Sequence, residues 1–314
     1  MAVIWITGAH GFIGRHLASH LSGKGHRVYG IGHGVWPELD ALQWGVDGWV
    51  NGEINATNLE SMHSVTGPPE RLFHLAGGST VGGSFRNPLE DFSRTVTTTA
   101  RLLDWISMHA PDCRTVAVSS AAVYGDRYEG KIPETAHSDP YSPYGHHKLM
   151  MEQLCRAYTA NFGLQVVIVR LFSVYGSWLQ KQLLWDLCSR IASSADRILL
   201  GGTGEERRDW TDARDVARLL EVAGECSDKK VGVINGGTGM STTVRQVAEL
   251  VIEAWGSSIP LEYSGVSRPG DPFSLVSDPR RLEELVFSWE VDVADGIRSY
   301  VHWFRKYWSG LSDE

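Results

Sequence analysis

Val3-Ile4-Trp5-Ile6-Thr7-Gly8-Ala9-His10-Gly11-Phe12-Ile13-Gly14 is the stretch on which the fold turns. Its first five residues form a short apolar run with the length and composition of a buried strand. The GxxGxxG turn that follows opens a helix expected over 12–23. In such a turn glycine permits the tight bend, lets a backbone approach a pyrophosphate and allows the helix to pack on the sheet. The helix N-terminus adds N–H groups and the positive end of a dipole. An ordinary glycine-rich strand-to-helix turn has the same letters, but the position directly after the first strand points to dinucleotide binding.

Outward from this turn, short apolar runs alternate with longer amphipathic stretches. Strands are expected near 3–7, 27–31, 71–76, 115–119 and 166–171, with helices over 12–23, 89–109 and 143–162. That rhythm predicts an α/β chain with a Rossmann-type, doubly wound parallel sheet. From Ser173 onward the pattern changes to loops, helices near 180–194 and 243–255, and an aromatic helix near 294–308, the marks of a smaller C-terminal lobe. The helix and strand expected between Asp212 and Asn235 return to the first domain. The expected division is 1–172, with about 212–236 returning, and about 173–211 with 237–314.

Composition narrows the function classes. The 314 residues carry 29 basic and 37 acidic side chains, a net charge of −8, so no global basic field exists to hold nucleic acid or an anionic membrane. Cys113, Cys155, Cys188 and Cys226 have neither metal-ligand spacing nor the density of a disulfide framework, which fits a reducing cytoplasm, and no metal site is expected. The N-terminus lacks a basic n-region and Arg170 interrupts the most apolar strand, so neither a signal peptide nor a membrane span is expected.

Two further stretches carry chemistry. Tyr144-Gly145-His146-His147-Lys148 places a phenol and an ammonium at i and i+4 near a helix start, within mutual reach. A nearby cation favours phenolate, so Tyr144 is a candidate to exchange a proton with a substrate hydroxyl while Lys148 holds ribose hydroxyls. Ser119-Ser120-Ala121-Ala122-Val123-Tyr124-Gly125 puts the Ser120 hydroxyl at a strand C-terminal end, where α/β sheets bind ligands. By contrast, the second strand runs into Gly30-Ile31-Gly32-His33-Gly34 with no carboxylate to grip the adenosine ribose of NAD, which leaves room for a 2′-phosphate.

Together with His74-Leu75-Ala76-Gly77, Ser142-Pro143-Tyr144 and Arg170-Leu171-Phe172-Ser173-Val174-Tyr175-Gly176, these stretches resemble the extended short-chain dehydrogenase/reductases, in the nucleotide-sugar epimerase/dehydratase branch typified by UDP-galactose 4-epimerase. The resemblance covers nearly the whole chain. It implies a catalytic triad of Ser120, Tyr144 and Lys148. It also implies an NAD or NADP site formed by Gly8, Gly11, Phe12, Ile13, Gly14, His33, Glu53, Ile54, Leu75, Ala76 and Gly77 together with Tyr144 and Lys148. For a nucleoside-diphosphate hexose it implies Ser79, Ser120, Ser173, Arg208 in Gly204–Trp210, and Arg268 and Asp271 in Arg268-Pro269-Gly270-Asp271. A guanidinium suits phosphate because it stays charged and forks onto two oxygens. A homodimer is implied as well, with helices 89–109 and 143–162 pairing across a twofold axis.

The chain departs from that pattern at Thr95 and Ser173, where the family often has Asn, and at Ser79, where the 4-epimerase has a lysine. Ala121 and Ala122 stand where 4,6-dehydratases carry the acid and base that eliminate water, leaving redox chemistry at one carbon, usually C4. Two versions remain open: a 4-epimerase working through a transient 4-ketose, and an NAD(P)H-dependent 4-ketoreductase of a 4-keto-6-deoxy sugar nucleotide. A reading of another class is a catalytically silent dinucleotide sensor.

Overall fold

The computed structural model describes residues 1–226, 232–266 and 272–312, which divide into two compact units. The first unit, residues 1–125, 134–171 and 216–236, is built on a parallel sheet of seven strands. They are β1 (Val3–Thr7), β2 (Arg27–Gly32), β3 (Gly48–Asn51), β4 (Arg71–His74), β5 (Arg114–Ser120), β6 (Gln165–Leu171) and β7 (Val233–Gly236). Their order across the sheet is β7-β6-β5-β4-β1-β2-β3. The doubly wound arrangement follows, with the chain reversing direction across the sheet beside β1, the place where such folds open a crevice for ligands.

Burial explains the apolar runs. Helices cover both faces of a parallel sheet, so a central strand such as Ile4-Trp5-Ile6-Thr7 is buried on both sides. Trp5 stacks on Trp105 at 5.3 Å between ring centres and shares a core with Leu72, Leu102, Ile106, Ala117 and Ile168. β3 was not expected from the sequence. It is four residues long and lies at the sheet edge, half-buried, so it shows neither a continuous apolar run nor a clean alternation.

The helix over Pro143–Phe162 has the signals its sequence carries. Ser142 caps its start by accepting from the Gly145 N–H at 3.1 Å, Pro143 occupies the first turn, and Gly163 closes it in the left-handed region at φ +74°. The expected helix 89–109 is present as one helical run over 88–109, with a change of spacing inside it. It runs as Pro88–Phe92, a wide π turn over Ser93–Thr97, and Thr98–His109. The Thr98 hydroxyl follows the wider spacing by donating to the Ser93 carbonyl five residues back at 3.1 Å.

Arg170, the charge inside an apolar strand, is 2% exposed and finds its partner on that long helix. Its Nε and Nη2 donate to the two oxygens of Glu152 at 2.8 and 2.7 Å, and Nη1 reaches the Glu134 carbonyl at 3.3 Å. Ser119, on β5, donates to the same carboxylate at 2.7 Å. Burial works against the guanidinium's charge, but the bond to Glu152 outweighs it and raises the Arg170 pKa.

The second unit, residues 126–133, 172–215 and 237–314, holds three small sheets. The largest has four short strands in the order Thr242–Thr243, Arg207–Arg208, Ser274–Ser277 and Lys131–Ile132. Asp209, fully buried, gathers it by accepting from the backbone and hydroxyl of Thr238, from Gly239 N, and from the backbone and hydroxyl of Ser277 at 2.7–3.1 Å. The expected helices are present at Gln182–Ala192, Val244–Trp255 and Val293–Ser312. No helix among the described residues is long and apolar enough to cross a membrane.

Removing one member of a buried ion pair leaves the other uncompensated. Glu152→Gln is therefore expected to destabilise the protein by about 3–5 kcal/mol, read from urea unfolding, and Arg170→Met with Glu152→Leu is expected to recover part of that loss.

Candidate active site

The dinucleotide turn is shaped by close backbone approach. Gly8 follows β1 at φ +74°, a conformation that favours glycine, and its N–H donates to the Ile31 carbonyl at 2.7 Å. Gly11 N–H returns to the Gly8 carbonyl at 2.9 Å and heads the helix Phe12–Gly23 without a side-chain cap. A Cβ on Gly14 would collide with that carbonyl and lie 2.7 Å from Ala9 Cα, so the helix start presses directly on the turn. These features suit a pyrophosphate, whose oxygens would supply the acceptors that a side-chain cap otherwise provides. The residues present therefore fit a nicotinamide dinucleotide. Phe12, Ile13, Leu75, Ala76 and Gly77 are half-buried around the strand ends, Ile54 is buried, and Glu53 is exposed with its carboxylate 3.3 Å from Arg101.

Where an acidic residue was sought after β2, the structure places aromatic and cationic groups. His10 lies against Gly34 and packs on Trp36 at 4.7 Å and Trp49 at 5.8 Å, while the Arg15 guanidinium lies 5.2 Å from the Trp36 ring centre. Burial, then the charge of Arg15, lowers the His10 pKa. His33 itself is exposed.

Ser120, Tyr144 and Lys148 come together at the C-terminal end of β5. Ser120 is its last residue, and its Oγ accepts from the Ala122 N–H at 3.2 Å. Tyr144 is held in the first turn of the long helix, its N–H donating to buried Ser84 Oγ at 3.0 Å. Tyr144 keeps part of its surface accessible, yet loss of water around the phenol raises its pKa, and a hydrogen bond with Ser120 pulls it back. Lys148, 3% exposed, has its Nζ 5.9 Å from the Tyr144 ring centre and donates to the Val118 carbonyl at 2.9 Å. Burial pushes its pKa down to about 8 against the opposing pull of Asp91 and Glu152.

His74, at the end of β4, has a defined protonation. Thr99 donates its hydroxyl hydrogen to the Thr95 carbonyl at 2.6 Å and so accepts from His74 Nε2 at 2.9 Å, which leaves Nδ1 to accept from Thr7 at 2.7 Å. The ring is neutral, its pKa pushed down to about 3 by burial and by the charge of Lys148.

Thr95, where the family often has Asn, is fully buried on the π turn and accepts from the Gly78 N–H at 2.9 Å. Ser79 is exposed. In the second unit Ser173 N–H donates to the Asp209 carbonyl at 2.9 Å, and Arg208 Nη1 donates to the Arg207 carbonyl at 2.8 Å. Arg268 and Asp271 lie outside the described residues. Sequence reasoning missed a buried pair beside the Tyr144–Lys148 couple: Asp91 Oδ2 lies 2.6 Å from His147 Nδ1. Its one available signal was His147 itself, which shares a helix face with Tyr144 three residues before it.

Residues 4–237 match the NAD dependent epimerase/dehydratase family, and the chain belongs to that family. It is 29% identical over 322 residues to a UDP-glucose 4-epimerase of Azospirillum brasilense, an alignment covering 96% of this chain and 92% of that one. The structure of a UDP-glucose 4-epimerase from Thermotoga maritima, solved with UDP-glucose, superposes with a TM-score of 0.88 at 27% identity, over 98% of this chain and 99% of that one. A UDP-glucuronic acid 4-epimerase from Bacillus cereus, in complex with UDP-glucuronic acid and NAD, gives 0.86 at 26% identity, over 97% and 99%.

Gly14→Ala tests the turn. The added methyl forces the helix start away from the Gly8 carbonyl, and NAD affinity measured by calorimetry is expected to fall at least tenfold, about 1.4 kcal/mol. Unchanged affinity would place the pyrophosphate elsewhere.

Proposed function

We propose that this chain is a nucleotide-sugar 4-epimerase that inverts the C4 hydroxyl of a UDP-activated hexose through a transient 4-ketose. The observation that carries this reading is the Ser120, Tyr144 and Lys148 constellation followed by Ala121 and Ala122, a site with one base and no second acid–base pair for dehydration. The full-length similarity to UDP-sugar 4-epimerases supports the same substrate class.

A nicotinamide held by the glycine turn together with Tyr144 and Lys148 would supply a hydride acceptor and donor for the sugar carbon. The Tyr144 phenolate oxygen takes the C4 hydroxyl proton as the carbonyl forms and gives it back as the carbonyl is reduced. Before the sugar binds, Ser120 donates to Tyr144 and favours the phenolate form; with the sugar in place its single O–H turns to the reacting oxygen. Lys148, as ammonium, stabilises the phenolate by its charge and, with Tyr144, holds cofactor ribose hydroxyls. In this reading Gly8, Gly11 and Gly14 hold the pyrophosphate, and Arg208 and Arg268 meet the substrate diphosphate.

A second reading, a 4-ketoreductase, draws on the end of β2. The absence of a carboxylate there, with His10 and Arg15 beside it, suits a cofactor carrying a 2′-phosphate and exchanged at each turnover. Cofactor fate separates the two. An epimerase interconverts two C4 epimers without added cofactor and without net absorbance change at 340 nm, whereas a ketoreductase consumes reduced cofactor stoichiometrically with a 4-keto sugar nucleotide.

Tyr144→Phe is expected to lower kcat by roughly 10²–10⁴-fold while leaving NAD affinity nearly intact, because it deletes only the proton acceptor. Near-normal turnover would remove Tyr144 from the mechanism. Lys148 acts in its protonated form, so the limb of the kcat–pH profile that belongs to Lys148 is expected to fall as pH rises through about 8.

A further inference from the structure

Gly77 and Gly78 follow β4 and leave room for two opposite charges, one against each glycine. A Cβ on Gly77 would lie 3.3 Å from Lys148 Nζ, and a Cβ on Gly78 would collide with Asp91 Oδ1. The Asp91 carboxylate, 7% exposed, comes from the short helix Pro88–Phe92 that precedes the π turn. Its other oxygen is gripped at 2.6 Å by His147 Nδ1, which must carry the hydrogen because an ionised carboxylate only accepts. Phe92 packs edge-on against the His147 ring at 5.5 Å and fixes its plane. His147 lies between Tyr144 and Lys148 in sequence and is buried on the same helix.

We propose that Asp91 and His147 are positioning residues for the Tyr144–Lys148 couple: His147 clamps the Asp91 carboxylate in place as the counter-charge of the couple. This rests on reading Tyr144 and Lys148 as the working pair. The other ionisable groups around the couple do not fill that role. Glu152, on the same helix, also raises Lys148, but it is committed to Arg170, Ser119 and Arg156 and, unlike Asp91, does not act on Tyr144. His74, from β4, is neutral in its threonine bridge, and the Cys155 thiol is pushed up to about 12 by burial. Ser120, from β5, is uncharged. Asp91 raises both Tyr144 and Lys148, so it keeps the ammonium protonated in a buried site at the cost of a less acidic phenol.

A structural pair and a counter-charge predict different pH behaviour. Asp91→Asn keeps the shape and removes the charge, so both limbs of the kcat–pH profile are expected to move together to lower pH by about one unit. His147→Gln retains an N–H donor and is expected to hold both limbs. His147→Leu leaves the carboxylate unclamped and is expected to move them as Asp91→Asn does, which keeps the test open if the first variant fails to fold. Calorimetry of NAD binding against pH gives the same reading without any sugar: the loss of affinity as Lys148 deprotonates is expected at lower pH in Asp91→Asn and His147→Leu. If those NAD profiles superpose on the wild type, or if only the amplitude of kcat falls, the proposal is overturned. A shifted NAD profile with no epimerisation of any UDP-hexose would support the counter-charge and instead overturn the assigned reaction.

Discussion

The ion pair between Arg170 and Glu152 is the constraint on which the rest of the first unit depends. Two buried charges gain little over a well-packed apolar pair once the loss of hydration is counted. What they supply is geometry. A forked guanidinium on β6 meets both oxygens of one carboxylate, which fixes the rotation and the height of the helix Pro143–Phe162 against the sheet. Lys148 lies one turn before Glu152 on that helix and Tyr144 two turns before it, so the same contact sets both above the end of β5. Ser119, the residue before Ser120, donates to the same carboxylate and ties the β5 end into the arrangement.

Around this frame, charge is handled by burial and by short-range partners. The ammonium of Lys148 loses water and so loses affinity for its proton, a cost that Asp91 and Glu152 reduce. The nearby imidazole of His74 stays neutral because two threonines satisfy both of its nitrogens and because a second cation beside Lys148 is unfavourable. In the second unit the Asp209 carboxylate serves structure instead, since its oxygens accept from backbone and hydroxyl donors of separate segments and so order the loops around the small sheet.

Local chemistry made much of the fold legible. Strand runs at 3–7 and 166–171, the GxxGxxG turn, and the Ser-Pro start of the long helix are written in contiguous residues whose spacing and φ preferences act over a few positions. Elements that depend on distant partners were not. β3 is held by pairing with β2 at the sheet edge, and Lys131–Ile132 is a strand only because Ser274–Ser277 lies beside it. The π turn at Ser93–Thr97 breaks an apolar periodicity that reads as one continuous helix, and there Thr95 meets the Gly78 N–H.

The candidate site divides along the same line. Ser120, Tyr144 and Lys148 were evident because the hydroxyl ends an apolar strand and the phenol and ammonium are one helical turn apart. Those are local relations that hold in any fold preserving the strand and the helix. Asp91 and His147 lie 56 positions apart, and Arg170 and Glu152 join a strand to a helix; neither pair leaves a mark in spacing. By itself the sequence determined where the strands and the main helices begin, where a glycine turn opens the first helix, and which groups have the chemistry to move a proton. Only the tertiary structure decided which buried charges face those groups, because an ionised side chain acts through distance and lost water, and both are set when separate segments pack together.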